Sequence, residues 1–139
     1  MDIKKIIILL LGFILQGCSR VEHLYIEPQA FMQFYKNRKI FSILVDTRLV
    51  KSYKKGHLDL AINVPTFELL KLNDFNKIKT KVNGAKHKNW VLFLYAQNEK
   101  DTILLKNKVE ELCKNNFLFN SPNMIYYLKG GYEALIHNF

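Results

Sequence analysis

Cysteine is scarce in this sequence of 139 residues, which contains only Cys18 and Cys113. The first belongs to a processing signal described below, so no intramolecular disulfide is expected. Four histidines are scattered along the chain and have no metal-ligand spacing with the cysteines. We therefore expect neither a metal nor another cofactor. Because 49% of the residues are apolar, including ten Phe and seven Tyr, one domain can bury a core without covalent cross-links.

Arginine is also rare. The formal net charge is +9, but of the 21 basic residues only Arg20, Arg38 and Arg48 are arginine. A basic balance can suit nucleic acid, an anionic membrane or an acidic partner. The forked donors that grip phosphate best are few, however, and lysine is abundant along the whole chain. We interpret the charge as general compositional bias, and its densest run, Lys71–Lys88, as a solvated connection.

A hydrophobic run long enough to span a membrane is missing from the N-terminus. The apolar stretch Ile6–Leu15 follows two lysines and has ten residues. As a helix it would be about 15 Å long, half of the roughly 30 Å hydrocarbon core of a bilayer. A short positive start, an apolar core and a small residue before the cut are typical of a secretory signal. A buried N-terminal helix is the alternative, but a small domain can hardly cover a helix that is apolar on all sides.

The signal ends in Leu15-Gln16-Gly17-Cys18, which resembles a bacterial lipobox. The resemblance implies that residues 1–17 are a removed signal peptide, that Cys18 carries lipid, and that residues 18–23 form a lipidated tether. Several acyl chains together anchor a protein stably in a membrane. The protein is then expected on the extracytoplasmic side, in the bacterial cell envelope, where nucleic acid is not an expected partner. A plain signal peptide with a chance cysteine remains the alternative.

Strand and helix patterns alternate along the rest of the chain. Asp101–Asn115 is predicted as a helix that starts at Asp101, and Tyr132–Ile136 as a short final helix after two glycines. A further helix is expected from Pro28, with Phe31, Phe34 and Tyr35 on one face. The pattern predicts an α/β domain with a mainly parallel sheet. The strand candidates are Leu24–Ile26, Ile40–Val45, Ala61–Val64, Trp90–Tyr95 and Met124–Leu128.

Three ordered segments resemble the rhodanese-like family. They are Leu44-Val45-Asp46-Thr47-Arg48, then Gly56-His57-Leu58 with Ala61-Ile62-Asn63-Val64-Pro65, and finally Leu128-Lys129-Gly130-Gly131-Tyr132-Glu133-Ala134-Leu135. The resemblance implies a single rhodanese-like domain over residues 24–139, with a five-stranded sheet flanked by helices. Asp59-Leu60 stands where the family usually has Pro-Gly, a departure that affects a turn.

The motif residues are expected to have mostly structural roles. Asp46 and Arg48, at a strand end, can satisfy backbone groups and each other, and a catalytic Asp46 is the alternative. Gly56-His57 lies in a turn segment, where a local hydrogen bond of His57 is favoured over titration in a reaction. Gly130 and Gly131 supply permissive backbone angles between a strand and a helix.

The loop after the central strand lacks the family's nucleophile. Aligned on the aromatic Tyr95, the cysteine position of active members falls at Ala96, and a shift by one residue would place it at Tyr95; neither has a thiol. Glu99 and Asp101 fall where the resemblance implies a glycine and a basic residue, and carboxylates oppose an anionic sulfur intermediate. We expect a degenerate active-site loop made of Ala96, Gln97, Asn98, Glu99, Lys100, Asp101 and Thr102.

These observations favour a membrane-anchored binding or scaffold module without catalytic activity. Its loop, or the basic segment 71–90, would hold an envelope protein or a small ligand. An active sulfurtransferase that uses Cys113 or a partner's thiol is the alternative, and a purely structural lipoprotein is a third. Cys113 shares an apolar helix stripe with Leu105, Val109 and Leu112, so we expect it to be buried.

Overall fold

The core of the protein is one five-stranded sheet in which every strand pairing is parallel. A computed structural model describes residues 21–72, 74–115 and 121–138. The predicted signal peptide and Cys18 lie outside the described residues. The strand order is β1-β5-β4-β2-β3, which confirms the predicted α/β fold. The strands are β1 (Glu22–Ile26), β2 (Phe41–Asp46), β3 (Ile62–Asn63), β4 (Trp90–Tyr95) and β5 (Met124–Leu128).

Helices connect these parallel strands. Two predicted helices have shifted boundaries: the helix expected from Asp101 begins at Glu99, and the last begins at Gly131 and ends at Asn138. The sheet also starts earlier than predicted, since Glu22 and His23, assigned to the tether, belong to β1. No helix of the described segments is long and apolar enough to cross a bilayer. The helices are α1 (Pro28–Lys36), α2 (Val50–Lys55), α3 (Thr66–Leu69), α4 (Asn76–Thr80), α5 (Glu99–Asn115) and α6 (Gly131–Asn138).

Both faces of the sheet are buried, which explains why β2 and β4 are almost continuously apolar. Successive side chains of a strand point to opposite faces. In β4, Leu92 and Leu94 therefore pack on one side, with Leu105, Val109 and Cys113 of α5. Val91, Phe93 and Tyr95 pack on the other side, where they join Phe31 and Tyr35 of α1.

The segment Lys71–Lys88 differs from its prediction as a solvated connection. Phe75 and Ile78 are fully buried in the core, and α4 lies within the segment. Lys79 is only 1% exposed, and its Nζ donates to the carbonyl oxygen of His87 at 2.9 Å. The prediction was wrong because the six lysines obscured a helical spacing of apolar residues. Phe34 also departs from expectation, since it is 46% exposed while Phe31 and Tyr35 are buried.

Replacement of Phe93 tests the packing between α1 and the sheet. The rings of Phe31 and Tyr35 meet Phe93 edge-on, at centroid distances of 5.3 and 5.2 Å. Phe93→Ala is expected to lower the free energy of unfolding by about 3–5 kcal/mol, because it leaves a cavity and removes these ring contacts. Phe67→Ala is the matched control, since Phe67 is mostly exposed. Urea unfolding followed by circular dichroism measures both, and equal losses would contradict the assigned core.

Candidate functional site

The candidate site lies where β2 and β4 end side by side. Asp46, the last residue of β2, is opposite Tyr95, the last residue of β4. Thr47 and Arg48 continue from one strand and Ala96 from the other, and the Thr47 amide donates to the Tyr95 carbonyl at 3.0 Å. The carboxyl ends of adjacent parallel strands are the usual place for ligands in α/β sheets.

A buried ion pair fixes the end of β2. Arg48 donates from Nε to both carboxylate oxygens of Asp46 at 3.1 Å and from Nη2 to Oδ2 at 2.8 Å. Asp46 is fully buried and Arg48 is 8% exposed. Burial opposes the charged guanidinium, but the hydrogen bonds to Asp46 outweigh it and raise the pKa of Arg48. The contact expected between these residues is therefore present, and it leaves the Arg48 charge already compensated.

Arg48 also joins three other segments to this strand end. Its Nη2 donates to the carbonyl oxygen of Gly56, and its Nη1 donates to Oε1 of Gln97 at 3.2 Å. The guanidinium carbon lies 3.9 Å from the ring centroid of Tyr132. Tyr95 is nearby, with its hydroxyl 3.0 Å from the Leu58 amide that donates to it. The roles of Gln97, Tyr95 and Tyr132 in this network depend on distant segments, and sequence analysis did not identify them.

His57 lies beside this network rather than inside it. Its Nδ1 is 2.8 Å from the carbonyl oxygen of Tyr53, and its ring stacks on Tyr53 at 3.7 Å between centroids. The side chain is exposed and makes the kind of local contact that was expected. Gly56 is packed closely, since a Cβ there would be 3.1 Å from the hydroxyl of Tyr132.

The start of α6 holds the loop after β4. The amides of Tyr132 and Glu133 donate to the carbonyl oxygens of Ala96 and Gln97 at 2.8 and 3.0 Å. Gly131 has a φ of +66°, and a Cβ there would come within 2.8 Å of the Ala96 carbonyl oxygen. Glycine is required at this position, because any side chain would push the loop and the helix apart. Gly130 likewise has a positive φ, of +80°.

Asn98, and not Asp101, is the residue that caps α5. Its Oδ1 accepts from the Asp101 amide at 2.9 Å, three residues later, as an N-terminal cap does. Its carbonyl oxygen accepts from the amide and the hydroxyl of Thr102, at 3.0 and 2.9 Å. Asp101 therefore lies within the first turn, and its prediction as the helix start is wrong by two residues. The sequence held one signal for this cap, namely an asparagine directly before Glu-Lys-Asp, which form the first turn of the helix.

The two loop carboxylates do not share one location. Glu99 is exposed and accepts from the Tyr25 hydroxyl at 3.3 Å, on the β1 side of the loop. Asp101 instead lines the cavity beside Ala96, and Lys100 is exposed to solvent. Only Asp101 of the two carboxylates therefore faces the cavity, and Lys71 and Lys108 line it as well, so the expected opposition to an anion is offset there.

A cavity of about 730 Å³ opens beside Ala96, which is 4% exposed. Its charged lining residues are Arg48, Lys71, Lys108 and Asp101. The remaining lining is polar or apolar and comes from segments that are far apart in the sequence: Thr47, Leu49, Ser52, Thr66, Phe67, Leu70, Ala96, Gln97, Leu104 and Leu105. None of these residues has a thiol. An apolar wall with a few charges suits the binding of a small molecule or a protruding side chain.

Cys113 is not among the residues that line this cavity, and it lies on the inward face of α5. It is 7% exposed and packs in the core cluster with Val109 and Tyr127. Burial, with a smaller contribution from Glu110, raises the pKa of its thiol to about 11. The thiol is therefore protonated at neutral pH and is a weak nucleophile. Within the described segments, no group of three His, Cys, Asp or Glu residues could hold a metal ion.

The fold and site define a parallel α/β domain with a loop-bordered cavity at the carboxyl ends of its central strands. The family model for the rhodanese-like domain matches residues 28–138. The chain belongs to the rhodanese-like domain family, as the three sequence motifs predicted. No curated protein matches the chain.

Several solved structures share this fold at low sequence identity. The As/Sb reductase of Leishmania major is 19% identical with a TM-score of 0.57, covering 85% of this chain and 79% of its own. A human single-domain sulfurtransferase is 14% identical with a TM-score of 0.56, covering 83% and 96%. A rhodanese-like domain from an Anabaena species is 15% identical with a TM-score of 0.54, covering 81% and 73%. At these identities the likeness shows the fold alone.

Loss of Arg48 tests the importance of the buried ion pair. Arg48→Ala is expected to lower the free energy of unfolding by about 3–5 kcal/mol, because it leaves the Asp46 carboxylate buried without its partner. Lys51→Ala, which removes an exposed cation from the neighbouring α2, should change stability by less than about 0.5 kcal/mol. Denaturant unfolding measures both variants. A small loss for Arg48→Ala would mean that water reaches Asp46.

Proposed function

We propose that this protein is a membrane-anchored lipoprotein whose rhodanese-like domain binds a partner or ligand in the bacterial cell envelope and does not transfer sulfur. One observation carries the proposal. Ala96 directly follows β4 and lines the 730 Å³ cavity, and it would take the place of the family's nucleophilic cysteine in the alignment on Tyr95. A methyl group cannot attack a sulfane sulfur or hold a persulfide.

The only cysteine among the described residues is poorly suited to replace the missing one. Sulfur transfer begins with attack by a thiolate, so the thiol must ionise and must reach the donor. Cys113 is buried, its pKa is raised to about 11, and it does not line the cavity. A sulfurtransferase that uses Cys113 is therefore the weaker alternative, although the human structural neighbour has that activity in its name.

The cavity retains features that support binding. Three large apolar side chains at its rim, Leu49, Phe67 and Leu104, are more than half exposed. Lys71, Lys108 and Asp101 add charges of both signs, whereas Arg48 is already paired with Asp46. Exposed apolar side chains around a concave surface commonly mark interaction sites. This mixture favours an amphipathic ligand or a partner's side chain over a simple anion.

The membrane anchor in the proposal is supported by the sequence of residues 1–18. The apolar run ends at the Leu15–Cys18 motif, where a lipid-modified cysteine would become the first residue of the mature protein. From Cys18 the chain reaches β1 at Glu22 within four residues. The domain would then be held close to the membrane on its extracytoplasmic side.

Sulfur transfer is tested with thiosulfate as donor and cyanide as acceptor. The purified full chain is expected to form thiocyanate at the rate of the protein-free reaction, because no accessible thiolate is available. Cys113→Ala should behave in the same way, and an active rhodanese serves as the positive control. Turnover by the natural chain that disappears in Cys113→Ala would contradict the proposal and establish the alternative.

Lipidation is tested separately by labelling bacteria that express the full chain with radioactive palmitate. The natural chain is expected to incorporate label, and Cys18→Ala should lose all of it, because the lipid is attached through that sulfur. Cys113→Ala is the matched control and should retain full labelling. Labelling that is unchanged in Cys18→Ala, or absent from all three chains, would remove the anchor from the proposal.

A further inference from the structure

Charges are distributed unequally between the two ends of the sheet. Because all strands are parallel, their first residues meet along one side, which we call the amino edge: the starts of β1, β2, β4 and β5 with the segments leading into them. Six exposed cations lie there, namely Lys36, Arg38, Lys39, Lys86, Lys88 and Lys114. Three carboxylates accompany them, Glu22, Glu110 and Glu111, of which Glu110 is paired with Lys106. Six others lie at the opposite end, namely Glu27, Asp46, Asp59, Glu99, Asp101 and Glu133. Cations occur at that end as well, including Lys51, Lys54, Lys55, Lys100 and Lys129, so the amino edge differs from it in having few carboxylates.

Packing holds two of the basic loops next to each other. The ring of Phe41, the first residue of β2, stacks on His87 with centroids 4.0 Å apart and an interplanar angle of 5°. A Cβ on Gly84 would come within 2.5 Å of the same ring, so the loop before β4 lies directly against the start of β2. Lys86 and Lys88 are thereby brought beside the segment that carries Arg38 and Lys39.

Lys114 extends the basic surface towards β1. It lies in the last turn of α5, which runs antiparallel to the strands and ends at the amino edge. Burial is the main cause of the lowered pKa of His23; the carboxylate of Glu110 opposes it, and the charges of Lys106 and Lys114 add to it. Lys114 is therefore close to the start of β1, where the predicted tether enters the domain.

An apolar groove opens among these cations. It has a volume of about 250 Å³ and lies between the end of α1 and the first residues of β2, β4 and β5. Phe34 and Ile40 line it and are 46% and 45% exposed, and Arg38 and Lys39 border it. Exposed apolar side chains flanked by lysine and arginine are the pattern of surfaces that lie in a membrane interface.

We propose that the amino edge binds the surface of an anionic phospholipid bilayer, with its cations on headgroup phosphates and Phe34 and Ile40 at the acyl boundary. This placement depends on the lipid anchor proposed above. Glu22 is only four Cα–Cα steps from Cys18, which reach at most about 14 Å, so the anchor would bring the amino edge to the bilayer. The cavity beside Ala96 is a strand length away, about 20 Å for the six residues of β4, and faces outward.

Each lysine or arginine near an anionic membrane surface strengthens binding about fivefold. Lys39, Lys86 and Lys88 together would therefore contribute about a hundredfold. The interaction should weaken between about 0.1 and 1 M salt, where the screening length falls from about 10 to 3 Å.

The orientation can be measured with fluorescent labels on the full chain. Asn89→Cys places a label at the amino edge, and Asp59→Cys places one near the opposite edge; both positions are exposed. The labelled chains are reconstituted into vesicles that carry a quencher on lipid headgroups. In an equal mixture of phosphatidylglycerol and phosphatidylcholine we expect strong quenching at position 89 and little at position 59. In phosphatidylcholine alone the quenching at position 89 should largely disappear.

Charge-matched variants identify the source of this quenching. The triple variant Lys39→Gln/Lys86→Gln/Lys88→Gln should lower the affinity of the amino edge for the anionic bilayer about a hundredfold. Lys51→Gln/Lys54→Gln/Lys55→Gln removes the same charge from α2 and should leave the contact unchanged. Three results would overturn the proposal: equal effects of the two triple variants, equal quenching of the labels at positions 89 and 59, or quenching at position 89 that is as strong in neutral as in anionic vesicles. Binding of an acidic protein in place of lipid would leave position 89 unquenched in anionic vesicles and would overturn it too.

Failure of the anchor gives a different signal. The natural chain, which has no added cysteine, measures how much label attaches to the protein's own cysteines. This background should be low, because Cys113 is buried and a lipidated Cys18 has no free thiol. Label on Cys18 in that chain shows that the anchor is absent, whatever the quenching at position 89.

Discussion

The buried ion pair between Asp46 and Arg48 is the contact on which the rest of the site depends. The carboxylate of Asp46 is fully buried at a strand end, where the guanidinium of Arg48 donates to both of its oxygens and the Arg48 amide donates to Oδ1. The same guanidinium reaches the carbonyl of Gly56, the side chain of Gln97 and the ring of Tyr132. Four segments that are distant in sequence are thus held by one side chain, and none of these contacts involves a catalytic thiol.

The loop after β4 does not depend on the side chain at position 96 for its shape. The loop after β4 is held through the carbonyl oxygens of Ala96 and Gln97 and through the side chain of Asn98. None of these bonds depends on the side chain at position 96, so a methyl group there leaves the loop in place. In the proposed function, the alanine at this position leaves the cavity without a nucleophile there, while its apolar rim remains exposed.

The sequence predicted the elements whose signal is local. The apolar runs that became β2 and β4, and the glycine pair before α6, were identified because burial and backbone geometry constrain residue type directly. Asn98 was missed because asparagine and aspartate both suit helix caps, and α4 was missed because lysines surround its apolar residues. The cavity could not be predicted, since Phe67, Leu104 and Lys108 meet only when α3 and α5 pack beside the β4 loop. The sequence also could not predict that Glu99 and Asp101 lie in different places, because their directions depend on the residue at which α5 starts.

The burial of Cys113 has a consequence for how the folded protein behaves in an oxidising compartment. Compartments outside the cytoplasm are oxidising, and exposed thiolates there cross-link neighbouring molecules. A thiol that is 7% exposed and has a pKa of about 11 is withheld from such exchange once α5 has packed on the sheet. In the extracytoplasmic location proposed above, the folded domain would therefore keep its one described thiol out of disulfide exchange, and its stability would come from hydrophobic packing and the buried Asp46–Arg48 ion pair.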